Sequence, residues 1–294
     1  MANAAALVWT RGSLGEERIR SVYLTRHRAG GGDRWSLDGR YLPSQFTLNM
    51  LLELPVGGIF DLLDSMPDGG EEAGDAPLLP PVEPTQEIWA SGVTYQRSRE
   101  ARKAESGDDL YDKVYDAERP ELFLKAVGWR SAGHGDAVRV RGDSRWNVPE
   151  PELVLVLNRG MEIVGYTAGN DVSSRDIEGA NALYLPQAKV YDGSCAVGPG
   201  IVLLEQPEVL GDLDIRLRIH RNGAVAFEGE VSTARMHRSL EELAGYLGRE
   251  LSFPGGAFLM TGTGIVPDEE FTLEPGDLTE ISVGDLVLEN EVAR

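Results

Sequence analysis

Residues 149–171 constrain the fold more tightly than any other stretch of the chain. Pro149-Glu150-Pro151-Glu152 runs directly into Leu153-Val154-Leu155-Val156-Leu157, a leucine and β-branched run that reads as a strand. Asn158-Arg159-Gly160 is turn chemistry, and Met161–Asp171 reads as a second strand returning along the first. Side chains at i and i+2 of a strand share a face, so Glu150 and Glu152 project together from the strand mouth. The return strand is expected to bring Asp171 beside them. Carboxylates this close repel one another unless something positive lies between them. Paired glutamates on a solvated strand edge would need no ion. A third carboxylate favours a divalent cation, and oxygen-only donors suit Mg²⁺, Mn²⁺ or Ca²⁺ rather than zinc.

The rest of the chain is punctuated in the same way. Its 35 glycines and 16 prolines favour many short strands and turns over a helical bundle. Residues 1–72 read as a small N-terminal α+β unit, with a strand at Ile19–Leu24 and helices at Ser44–Leu54 and Ile59–Met66. The Pro-, Gly- and acid-rich stretch Pro67–Pro84 marks a boundary, with residues 73–86 as linker. Residues 87–294 then read as one catalytic unit. Strands are expected at 88–93, 122–126, 137–140, 153–157, 163–168, 201–204, 215–221, 224–231, 257–260 and 278–288. Ser239 caps a helix that runs to Leu247, with Glu241 and Glu242 in its first turn. Strands with helical inserts argue for an α+β fold on a rolled or barrel-like sheet. Ser106–Arg119 is acidic and reads either as a lid or as a solvated surface helix.

A net charge of −20 repels phosphate backbones and anionic lipid, which argues against nucleic-acid and membrane partners. Cys195 is the only cysteine, so neither an intrachain disulfide nor a thiolate metal site is available. No stretch approaches the length of a membrane helix, and the chain reads as cytoplasmic.

Several motifs resemble the fumarylacetoacetate hydrolase family. Glu150-Pro151-Glu152-Leu153 is similar to its metal-binding Glu-x-Glu, and Gly165–Asp176 is similar to its Gly-Tyr-x-x-x-Asn-Asp-x-Ser-x-Arg-Asp signature. Lys189 followed by Gly198-Pro199, and Thr261-Gly262-Thr263, resemble two further family segments. The resemblance implies a mixed β-roll catalytic domain and a divalent metal, Mg²⁺ first, on Glu150, Glu152 and Asp171. It also implies a homodimer or homotetramer and a 2-oxo acid substrate. One departure bears on the chemistry. The hydrolases carry a water-activating histidine in Gly-x-Asn-Tyr-x-x-His, and here Gly92-Val93-Thr94-Tyr95-Gln96-Arg97-Ser98 places Ser98 there. His27, His134, His220 and His237 lie outside the motifs.

Tyr111–Ala126 and Tyr184–Tyr191 resemble one branch of the family, which dehydrates 2-keto-3-deoxypentonates. That resemblance implies a 2-keto-3-deoxy sugar acid as substrate and 2-oxoglutarate semialdehyde as product. Lys189 is the expected base at C3 and Glu178 the expected acid at the C4 hydroxyl, in roles that could be exchanged. Thr263 and the backbone at Gly262 are expected to hold the substrate carboxylate, with Tyr95 and Lys125 as further contacts. The alternative is a metal-dependent hydrolase of acylpyruvate or fumarylacetoacetate-like acids, with Glu178 activating water. Arg175 and Asp176 are expected to pair with each other, and Asp192 to sit in a turn with Gly193.

Overall fold

The computed structural model describes residues 20–66, 70–106 and 110–294, so residues 1–19 of the expected N-terminal unit lie outside the described residues. The chain opens with β1 (Ser21–Ala29), β2 (Gly32–Leu37) and β3 (Arg40–Tyr41), then α1 (Leu48–Leu52) and α2 (Val56–Ser65). The first helix is shorter than expected. Thr47 caps it by accepting from the Met50 amide, and Pro55 stands before α2, where its missing N–H does no harm. The 73–86 stretch contributes β4 (Leu78–Leu79), which pairs with β1, and it buries Val82.

Next come β5 (Glu87–Gly92), α3 (Gln96–Ser106), α4 (Leu110–Tyr115), β6 (Glu121–Val127), β7 (Val138–Arg139) and β8 (Asn147–Val148). Residues 107–109 of the lid-or-helix stretch are outside the described residues. Then follow β9 (Pro151–Leu157), β10 (Ile163–Asp171), β11 (Ser173–Ser174), α5 (Arg175–Ala180), α6 (Leu185–Lys189) and β12 (Cys195–Leu204). The chain closes with β13 (Asp214–Arg221), β14 (Ala224–Ser232), α7 (Leu240–Leu247), β15 (Ala257–Met260), β16 (Leu278–Val283) and β17 (Leu286–Ala293). The single strand expected at 278–288 is therefore a hairpin. Gly284, at φ 57°, makes the turn between β16 and β17.

The larger sheet runs in the order β3-β2-β1-β12-β10-β9-β15-β5-β6, with β4 beside β1; a second runs β14-β13-β16-β17-β7. The N-terminal strands thus join the catalytic sheet through β1 and β12, which pair from Ser21↔Leu204 to Leu24↔Ile201. Strand β9 is buried on both faces, and its period of two divides the core. Leu153, Leu155 and Leu157 face one apolar cluster with Ile215, Leu217 and Ile281 from the second sheet. Val154 and Val156 face the other, against Leu51, Leu52, Ile59 and Phe60 of the N-terminal helices. This is the sheet-dominated α+β architecture expected, and it seats the mouth of β9 deep inside the molecule.

Candidate metal centre

The β9–β10 hairpin is built as its residues dictate. Asn158 Oδ1 accepts from the Gly160 and Glu162 amides at 3.0 and 2.9 Å, an Asx turn that sets the register. Pairing then places Gly169 opposite Glu152, and the Asp171 amide donates to the Glu150 carbonyl at 3.0 Å. One oxygen each of Glu150, Glu152 and Asp171 lie within 4.8 Å of one another, all three residues buried.

Three cations surround these carboxylates. Lys189 Nζ donates to Glu150 Oε2 at 2.8 Å and to Asp171 Oδ2 at 2.9 Å. Arg175 Nη2 lies 3.0 Å from Glu150 Oε1, and Lys125 Nζ lies 2.6 Å from Asp171 Oδ1. Glu152 differs from its neighbours. Its Oε2 accepts the Gly262 amide at 2.6 Å, and its Oε1 meets no hydrogen-bond partner among the described residues. Burial raises the Glu152 carboxyl well above the usual range, and the charges of Asp171 and Glu150 raise it further against the pull of Lys189 and the Gly262 amide. A buried, half-satisfied carboxylate oxygen beside two other carboxylates is a seat for a hard cation, so the residues fit Mg²⁺.

The pocket beside this centre is lined by Ser91 from the end of β5, Val93 just after it, Ser98 from α3, Glu121 and Phe123 from β6, Glu178 from α5, and Lys189, Gly262 and Thr263. Sequence reading missed Glu121 and Phe123. Their i, i+2 spacing on a strand was the available signal. Val93 adopts φ 56°, strained for a β-branched residue and located on the pocket wall. Ser98, at the position of the hydrolase histidine, bonds back to the Tyr95 carbonyl at 2.8 Å and so secures the start of α3.

The geometry bears on four sequence expectations. The Gly262 amide donates to Glu152 Oε2, and Gly262 also lines the pocket. The described residues lining the pocket include neither Tyr95 nor Lys125. Tyr95 is buried under the loop that follows β15, where its ring packs against Gly264, and burial and the charge of Glu152 raise its phenol. Lys125 is fully buried and donates to protein carbonyls at Val172 and Lys189. Arg175 and Asp176 do not pair: Arg175 turns inward to Glu150, while Asp176 accepts from Ser144 and the Arg145 amide. Thr263 keeps its place in the pocket, although its hydroxyl also closes a turn with Ile265. Asp192 sits in the expected turn, beside Gly193 at φ 79°. Cys195 lies opposite Asp171 on β12, and burial pushes its thiol up to about 12, which disfavours the thiolate.

Gly262 can be tested directly. Its φ is 90°, and a Cβ there would lie 2.1 Å from Thr94 Oγ1. Gly262→Ala should displace the amide that orients Glu152 and lower Mg²⁺ affinity about 10–100-fold in a calorimetric titration.

With this fold and this buried acidic centre, the chain belongs to the fumarylacetoacetate hydrolase family: residues 87–293 match the family described as fumarylacetoacetate (FAA) hydrolase C-terminal. Among its relatives, the probable 2-keto-3-deoxyxylonate dehydratase of Haloferax volcanii is 52% identical over 199 residues, covering 67% of this chain and 68% of that one. The 2-dehydro-3-deoxy-D-arabinonate dehydratase of Saccharolobus solfataricus is 45% identical over 220 residues, 73% of this chain and 74% of that one. A solved structure of 2-keto-3-deoxy-D-arabinonate dehydratase complexed with magnesium and 2,5-dioxopentanoate superposes with a TM-score of 0.76 at 35% identity, covering 92% of this chain and 98% of that one.

Proposed function

We propose that this protein is a Mg²⁺-dependent dehydratase that converts a 2-keto-3-deoxypentonate to 2,5-dioxopentanoate, the semialdehyde of 2-oxoglutarate. The observation that carries this reading is Lys189, buried against two carboxylates of the metal centre and lining the pocket. Two relatives that carry the names of 2-keto-3-deoxypentonate dehydratases support it.

Glu150, Glu152 and Asp171 would hold the ion, which when bound supplies a Lewis acid toward a 2-oxo acid and offsets charge growing on its ketone oxygen. Lys189 Nζ, in its neutral form, takes a proton from C3. Glu178, buried on α5 and facing the same pocket, gives a proton to the C4 hydroxyl, which leaves as water. A C3–C4 double bond remains. Moving a proton from C5 to C3 shifts it to C4–C5, giving the enol of the C5 aldehyde, which ketonises. Phe123 and Val93 line the same cavity with apolar surface, which limits water around the reacting carbons. Ser98 has no imidazole with which to activate water, and this favours dehydration over carbon–carbon hydrolysis. The test is aldehyde trapping: a hydrazine reagent should report a C5 aldehyde formed from 2-keto-3-deoxypentonate with Mg²⁺ and not with EDTA. No aldehyde under either condition would overturn the reading.

Three further points belong to the proposal. Residues 87–294 form the catalytic unit, with 1–72 appended and 73–86 between; the extent of the family match supports this. The enzyme works as a homodimer or homotetramer, as its family resemblance implies. It is cytoplasmic; among the described residues no helix is long and apolar enough to cross a membrane.

A further inference from the structure

The geometry points to Lys125 as a built-in counter-cation of the metal centre. It neutralises Asp171 so that the chain folds without its metal, and in doing so it weakens the grip on a divalent ion. This rests on the metal reading of the centre given above.

Lys125 is placed with unusual care. On β6, Ala126 pairs with Ile88 and Leu124 with Trp89, so Lys125 is the extra residue of a β-bulge between them. Bulges re-aim side chains. Here the lysine is fully buried, and its Nζ reaches Asp171 Oδ1 at 2.6 Å, the Val172 carbonyl at 3.0 Å and the Lys189 carbonyl. Two hydrogen bonds to carbonyls and one ion pair hold the ammonium group in place. Such a group is anchored, and Lys125 is absent from the described residues that line the pocket.

Its charge completes a balance. When all three are ionised, Glu150, Glu152 and Asp171 carry three negative charges; Arg175, Lys189 and Lys125 match them in number and lie 2.6–3.0 Å from an oxygen of Glu150 or Asp171. Buried charges are tolerated when paired. A centre balanced in this way can form before any ion arrives. Arg175 and Lys189 face the pocket, where a substrate carboxylate can share their charge. Lys125 cannot be shared or displaced in that manner. Once a divalent ion enters, Lys125 repels it across Asp171. Lys125 is therefore a positioning and charge-setting residue, and Lys189 is the reactive lysine.

The two roles pull in opposite directions, and a merely structural lysine would not produce that pattern. The test uses the full chain stripped with EDTA and titrated with Mg²⁺ in the absence of substrate, comparing Lys125→Gln and Lys125→Met with the parent. The metal-free melting midpoint should fall by about 5–10 °C, as expected for breaking a buried pair in a chain of this size. Mg²⁺ affinity should rise at least about tenfold, because a repelling charge is gone. Saturating Mg²⁺ should then raise the variants' midpoints more than the parent's. Variants that bind Mg²⁺ no more tightly than the parent would overturn the proposal. If neither single variant folds even with Mg²⁺, Lys125→Met is combined with Asp171→Asn. Recovery of the metal-free fold in the double variant supports the pairing, and a double variant that also fails to fold sinks it. A parent that does not bind Mg²⁺ would sink the metal reading, and the role of Lys125 with it. Normal binding by the parent with unchanged variants would sink the role of Lys125 by itself.

Discussion

Lys189→Met should lower kcat by about 10²–10⁴-fold, the range lost when a positioned base is removed. The expectation comes from geometry. Lys189 is at the end of α6 with only 2% of its surface exposed; its Nζ bridges Glu150 and Asp171, and Phe123 lies over it at 5.7 Å from ring centroid to Nζ. A methionine of similar volume preserves the packing and removes the proton acceptor. The informative readout is exchange of the C3 protons of the substrate with deuterium in D₂O, followed by NMR. Lys189→Met should lose both exchange and water elimination. Glu178→Gln should keep exchange while losing elimination, because the acid acts after the C3 proton has left. The opposite pattern would exchange the two roles, and full exchange in both variants would remove Lys189 from the proton transfer.

Glu152→Gln should abolish Mg²⁺-dependent turnover and weaken Mg²⁺ binding by at least about 100-fold, since a neutral amide replaces a carboxylate donor. Its effect on folding should run the other way. Glu152 is fully buried, close to two other carboxylates, and one of its oxygens meets no hydrogen-bond partner among the described residues. Removing that charge relieves both desolvation and repulsion in the metal-free protein. The variant's metal-free melting midpoint should therefore equal or exceed the parent's, and its gain on adding Mg²⁺ should vanish. A carboxylate that stabilises the fold and ignores the metal would give a lower midpoint and an unchanged Mg²⁺ response. The pattern expected is that of an active-site group kept at a cost to stability.

Much of this centre could be read from short-range signals. Prolines before an alternating strand, an Asn-Arg-Gly turn and a strand ending in Asp171 are enough to bring Glu150, Glu152 and Asp171 together. The cap at Ser239 placed α7 in the same local way; its hydroxyl accepts from the Glu242 amide. What could not be read depends on distant pairing. Nothing local to Ile19–Leu24 says that β1 will join β12, more than half the length of the chain away. Arg175 was expected to pair with its neighbour Asp176, but the start of α5 points it inward to Glu150. Lys125 owes its direction to a bulge that exists only relative to β5. The turn at Gly284-Asp285 was legible as a two-residue hairpin signal between two strand-like runs and was passed over. In the other cases the residue type was informative and its partner was not.

The most direct test of the account is mass spectrometry of products from 2-keto-3-deoxypentonate of both C4 configurations and from an acylpyruvate, each with Mg²⁺ and with EDTA. The account requires metal-dependent loss of one water from at least one pentonate, yielding 2,5-dioxopentanoate, with the acylpyruvate intact. Cleavage of the acylpyruvate into two acids, with both pentonates untouched, would contradict it and would mean that a residue other than Ser98 activates water in this pocket.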